Sequence, residues 1–202
     1  MAPFQQLLAD NFPEFFVASD VSAADYHLAV TTTLALDSNC IPDFSGASTC
    51  ADDEMSGYYT SCSGNDRYLT PASSSPANQF TCNVRVSDTG NVNPSRSASD
   101  SAEAGLQAAR NFLEPPNIDD AAINGGFMRD DAKLHVIIVS DEPDQSEGPI
   151  DLYVDFFRNL KGFRNDSLVA VSAIAAPANG CTYAGPDGNV AVGGDARYSD
   201  AV

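Results

Sequence analysis

Lys133-Leu-His-Val-Ile-Ile-Val-Ser-Asp-Glu-Pro-Asp144 decides how the rest of the chain is read. Leu134 to Val139 is nearly all apolar and rich in β-branched side chains, which predicts a central parallel strand covered on both faces. Ser140, Asp141, Glu142 and Asp144 follow at its carboxyl end. Open α/β sheets bind ligands in the crevice outside the carboxyl ends of their strands. An oxygen-rich loop at that place suits a hard divalent cation: Mg²⁺, Ca²⁺ or Mn²⁺.

Helical patterns flank this strand. Downstream, Ile150, Tyr153, Val154, Phe157 and Leu160 form one apolar face, closed by Gly162. Ser167 to Ala175 reads as another buried strand. Pro177 to Asp195 is turn-rich, and Ala196 to Val202 has the pattern of a helix start. Upstream, Ser101 is a good N-cap for a helix from Ala102 to about Glu114, which Pro115-Pro116 ends. Near the start, Phe4, Leu7, Leu8, Phe12, Phe15 and Phe16 make an apolar stripe over about Ala2 to Ser19, with a kink or break expected at Pro13. Tyr26 to Thr33 and Asn83 to Ser87 read as strands. Strands alternating with helices predict an α/β fold, a doubly wound and mainly parallel sheet flanked by helices.

A chain of 202 residues with a 43% apolar fraction is most simply one domain, 1–202. Its 28 acidic against 10 basic residues give a formal charge of −18, which disfavours nucleic acid and anionic lipid as partners. Most of these carboxylates are expected to solvate a surface. No apolar run approaches the ~20 residues of a spanning helix. No basic n-region of a signal peptide opens the chain. Residues 34–83 are Ser/Asp/Gly/Pro-rich, hold Cys40, Cys50, Cys62 and Cys82, and read as a loop insertion without a core. Lacking Cys-x-x-Cys spacing and nearby histidines, the four predict disulfides in an oxidising compartment, with the pairing open. Cys181 is left without a partner in the chain.

Met1-Ala-Pro-Phe-Gln-Gln-Leu-Leu-Ala-Asp-Asn-Phe-Pro-Glu-Phe-Phe16, Asp25-Tyr-His-Leu-Ala-Val-Thr-Thr-Thr33, Gly126 to Glu142, Asp151 to Gly162 and Val171-Ser-Ala-Ile174 together resemble the bacterial secreted von Willebrand factor A-type domains. The resemblance implies a metal-ion-dependent adhesion site built from three loops. Asp141 is implied as the third-loop aspartate. The second-loop hydroxyl is implied within Ser97 to Ser101, with Ser101 first, Ser99 second and Thr89 more remote. The family's Asp-x-Ser-x-Ser motif is absent, and Met1 sits where it ends. The expectation is therefore a fragment, with the first strand, most of the metal ligands and a secretory or lipoprotein signal upstream, and a last strand carrying a partner for Cys181 downstream. Metal binding by this chain is then expected to be weak or absent. Function is implied as extracytoplasmic, cation-dependent capture of a protein offering an acidic side chain, with no bond made or broken.

Other readings compete residue by residue. Glu142 and Asp144 could serve as an acid–base pair in a metal-dependent hydrolase, but capping and loop solvation account for them more simply. Ser101 lacks the Gly-x-Ser-x-Gly setting of a nucleophile, and His27 and His135 read as packed strand residues. Arg129 is expected to pair with Asp130 or Asp131. A purely structural domain with a decayed metal site is the third alternative.

Overall fold

The protein is described by a computed structural model covering residues 2–18, 24–33, 65–85, 103–185, 188–192, 194 and 196–201. In chain order its elements are α1 (Ala2–Ala18), α2 (Pro76–Asn83), α3 (Gly105–Leu113), β1 (Leu134–Val139), α4 (Ile150–Asn159), β2 (Val169–Ile174), β3 (Cys181–Gly185), β4 (Gly188–Val192) and α5 (Ala196–Ala201). Helix and strand are mixed, and β1 and β2 pair in parallel with Leu134 opposite Val169 and Val139 opposite Ile174. A parallel pair needs a crossover, and α4 supplies it. Gly162, at φ +83°, turns the chain back after α4.

The main core lies on one face of this pair. Leu106, Ala109, Phe112 and Leu113 of α3, Tyr153 and Phe157 of α4, Ile138 of β1 and Tyr198 of α5 are its buried members. Leu134, Val136, Val169, Val171 and Ala173 pack against them. Strand side chains alternate between faces, so the opposite face carries His135, Ile137, Val139, Ala170, Ser172 and Ile174. Ile137 is 49% exposed and Ile174 60%. The expectation of a strand covered on both faces is therefore corrected: among the described residues, β1 is covered on one. Its apolar run conceals an ordinary alternation that only His135 betrays.

Other expectations change as well. Among the described residues the parallel sheet has two strands, and β3 and β4 form a separate antiparallel hairpin where only turns were expected. Tyr26 to Thr33 is extended but not a regular strand; Leu28 and Leu69 make an isolated antiparallel bridge. Asn83 ends α2 instead of opening a strand. α1 runs unbroken through Pro13, and Leu7 faces solvent while Ala9 and Phe12 are buried. The segment read as a coreless insertion is described from residue 65, and that part is packed. Phe12 of α1 stacks on Phe80 of α2, and Leu69 and Val84 join them in a second core. Cys82, on α2, is disulfide-bonded; Cys40, Cys50 and Cys62 lie outside the described residues. Cys181 is free and exposed.

The two faces of β1 give a direct test. Ile138→Ala should cost about 2–5 kcal/mol, the range for emptying a packed core site. Ile137→Thr should stay within about 0.5 kcal/mol, as surface changes do. Urea unfolding of both variants measures the difference, and equal costs would mean that the second face is covered too.

Candidate functional site

The acidic loop leaves β1 at Val139 and packs against the start of α3, so the site is built where these two meet. α3 begins at Gly105, with Ala104 in the capping position and no side-chain cap of its own. The expected N-cap, Ser101, lies outside the described residues, as do Ser99 and Thr89. A helix start leaves its first amides without intrahelical partners, and buried amides must find others. Here they are met from far along the chain. Tyr198 Oη accepts from Gly105 N (3.2 Å), Asp144 Oδ1 from Leu106 N (3.4 Å) and Ser146 Oγ from Gln107 N (2.9 Å). The first turn of α3 is thus occupied by the protein's own oxygens.

Asp144 was expected to be a capping or solvated loop residue. It caps, but it is not solvated: its side chain is fully buried and bonded to Arg197 Nε at 2.9 Å. Ser146 Oγ donates to its other oxygen at 2.7 Å. Such a geometry offers no free carboxylate for acid–base work. Glu142 is exposed and Asp141 half-buried in the bend after β1.

The residue that sequence reasoning missed is Glu103. It is 7% exposed, its carboxylate is bonded to the Ser140 hydroxyl, and its carbonyl accepts from Gln145 N at 2.7 Å. Burial raises its pKa to about 7, and the charges of Asp141 and Glu142 push the same way against the lowering effect of the Ser140 hydrogen bond. Ser140 also contacts Glu142, whose carbonyl accepts at 2.9 Å and whose amide donates at 3.2 Å. A hydroxyl has one proton to give. With Glu103 protonated, Glu103 can donate to Ser140 while Ser140 donates to the Glu142 carbonyl. With Glu103 charged, the Ser140 proton is drawn to the carboxylate and the Glu142 carbonyl loses its donor.

The remaining candidates separate from this cluster. His27 is packed, as expected: Nδ1 donates to the Phe127 carbonyl at 2.7 Å and the ring lies against Tyr68. His135 is exposed, contrary to expectation, because it stands on the open face of β1, where Nε2 meets Ser172 Oγ at 2.8 Å. Among the described residues no carboxylate is bonded to His135, so this pair is not a triad. Arg129 pairs with Asp25, not with Asp130 or Asp131; the 2.7 Å contact ties the 126–133 segment to the extended one before Leu28.

Oxygen donors of the Glu103–Ser140–Asp141–Glu142 cluster suit a hard cation in kind. Among the described residues, however, no three His, Cys, Asp or Glu side chains are grouped to hold a metal ion. The cluster falls well short of the 6–8 oxygens that Ca²⁺ takes. Searches against family models, curated proteins and solved structures return no match.

Two measurements follow from this geometry. Since the folded pKa of Glu103 lies above its ordinary 4.5, its stabilising protonation is fully present below that value and lost as pH rises toward 7. Unfolding free energy should fall between these limits by on the order of 3 kcal/mol relative to Glu103→Gln, whose side chain stays neutral. Parallel slopes for the two proteins would refute it. Gly105→Ala normally favours a helix by about 0.5–1 kcal/mol. Here an added Cβ would lie 2.8 Å from both Ile138 Cγ2 and Tyr198 Oη, so thermal unfolding should show destabilisation by about 1–3 kcal/mol.

Proposed function

We propose that the chain belongs to an extracytoplasmic binding module of the von Willebrand A type, with a doubly wound sheet, whose acidic edge takes part in divalent-cation-dependent capture of a protein partner. The observation that carries this reading is Glu103, a buried carboxylate held beside Asp141 and Glu142. A buried carboxylate in that company needs neutralising, by a proton or by a cation. Asp141 follows directly on the parallel pair, at the strand end where α/β folds place ligands. Mg²⁺, Ca²⁺ or Mn²⁺ would supply an electrophilic centre to which an acidic side chain of the partner could bind.

Asp141 and Glu103 would provide charge, and Ser140 would hold Glu103 in place. The second-loop hydroxyls, Ser101 or Ser99, would complete the protein's share together with ligands that the family supplies from its Asp-x-Ser-x-Ser loop. The disulfide at Cys82 supports an oxidising, extracytoplasmic setting. Among the described residues no helix is long and apolar enough to cross a membrane. The charge of −18 argues for a cation or a cation-bridged ligand and against nucleic acid.

Thermal unfolding at pH 8 with and without 10 mM Mg²⁺, Mn²⁺ or Ca²⁺ tests the reading. A site with millimolar affinity would contribute about 1–2 kcal/mol, or roughly 2–8 °C for a domain of this size. Asp141→Ala should abolish the shift. A wild-type protein indifferent to all three cations would sink the proposal for this chain, and an undiminished shift in Asp141→Ala would remove Asp141 from the site.

A further inference from the structure

The loop after β1 is fixed at a point beyond its acidic residues. Asp144, with a fully buried side chain, meets Arg197 from α5, 53 residues away. The guanidinium also donates to the Gly148 carbonyl and the Ser146 carbonyl, each at 3.0 Å. Arg197 therefore grips both the carboxylate and the backbone of the same loop, using the planar fork that a lysine lacks. Tyr198, its neighbour on α5, bonds Gly105 N. Asp144, Gln145 and Ser146 bond the segment from Glu103 to Gln107 directly, and Glu147 N donates to Gln107 Oε1 at 3.1 Å.

We propose that Asp144 and Arg197 are positioning residues: a buried latch that sets the Ser140–Glu142 loop against Glu103 and on which ligand uptake there depends. This goes beyond the assignment of Asp141 and Glu103, and rests on the reading of that loop as a ligand site. Loss of the guanidinium would leave Asp144 buried without its charge partner, the costliest way to break such a pair. The strain would fall on Leu106, Gln107 and the 144–147 backbone, and through the Gln145–Glu103 bond on Glu103 itself. Tyr153 of α4 also donates to the Glu147 carbonyl, whereas α2, in the second core, shares none of these bonds. A tether that only held α5 in place would leave the loop's own exchange and uptake behaviour untouched.

Hydrogen–deuterium exchange and Mg²⁺ titration of the intact chain separate these possibilities. Arg197→Gln should speed exchange at least about tenfold at Leu106, Gln107, Gln145 and Glu147, with α2 amides unchanged. Arg197→Lys, which keeps the charge but loses the fork, should fall between, and it remains informative if Arg197→Gln does not fold. Arg110→Gln breaks the part-buried Arg110–Glu114 pair at the far end of α3 and the Arg110–Phe156 contact, and should alter neither the latched loop nor α2. Where wild type responds to Mg²⁺, Arg197→Gln should raise the half-saturating concentration at least about tenfold, and Arg110→Gln should not. Exchange that rises equally in α2, or stays unchanged in the loop, overturns the latch; so does an unaltered Mg²⁺ midpoint. A wild type without any Mg²⁺ response defeats the proposed uptake, and with it the latch's role in uptake, while the exchange pattern still decides whether the latch orders the loop.

Discussion

The constraint on which the rest depends is a helix that starts in a buried place without a cap of its own. Gly105, Leu106 and Gln107 have amides to satisfy and Ala104 has no side-chain oxygen to offer. The solution comes in trans, from Tyr198, Asp144 and Ser146. It forces three parts of the chain to converge: the start of α3, the loop after β1 and the start of α5. Gly105 permits the approach, because any larger residue would collide with Ile138 and Tyr198. Once these parts meet, Glu103 has nowhere to go but inward.

What could be read from sequence follows the range of the interactions. β1 was legible to the residue, because a β-branched run between turn signals has few alternatives. The apolar face of α4 and its stop at Gly162 were legible for the same local reason. Coverage of β1 was not: when both faces carry Ile and Val, periodicity cannot say which is buried. His135 and Ser172, side by side on the open face, were the available signal. Phe80 and Leu69 looked like scattered apolar residues in a polar stretch, since their partners Phe12 and Ala9 lie about one-third of the chain away. The coarse α/β character was in reach, while the arrangement of faces needed tertiary contacts.

The site shows the same division. Asp141 stood out through its place after a strand, and Ser140 with it. Glu103 did not, because an acidic residue near a helix start is an unremarkable feature that normally complements the helix dipole in solvent. Its burial depends on Ser140 and on the loop that caps α3 from outside. Ser101 was a sound N-cap by local rules, yet the helix begins later, since trans capping by Asp144 and Ser146 makes a local cap unnecessary. Asp144 was recognisable as a capping residue, but its ion pair spans 53 positions and leaves no local trace.

Two buried carboxylates, Glu103 and Asp144, stand at this junction and meet the cost of burial differently. Asp144 has a guanidinium at 2.9 Å together with bonds from Ser146 and an amide. Its charge is matched within the fold. Glu103 has a hydroxyl for a partner, while burial and two repelling carboxylates make it harder to ionise. A fold that stabilises one acid fully and leaves its neighbour wanting has separated structural from responsive chemistry. The matched acid holds the loop in register, and the one that burial keeps from ionising is left to respond to pH.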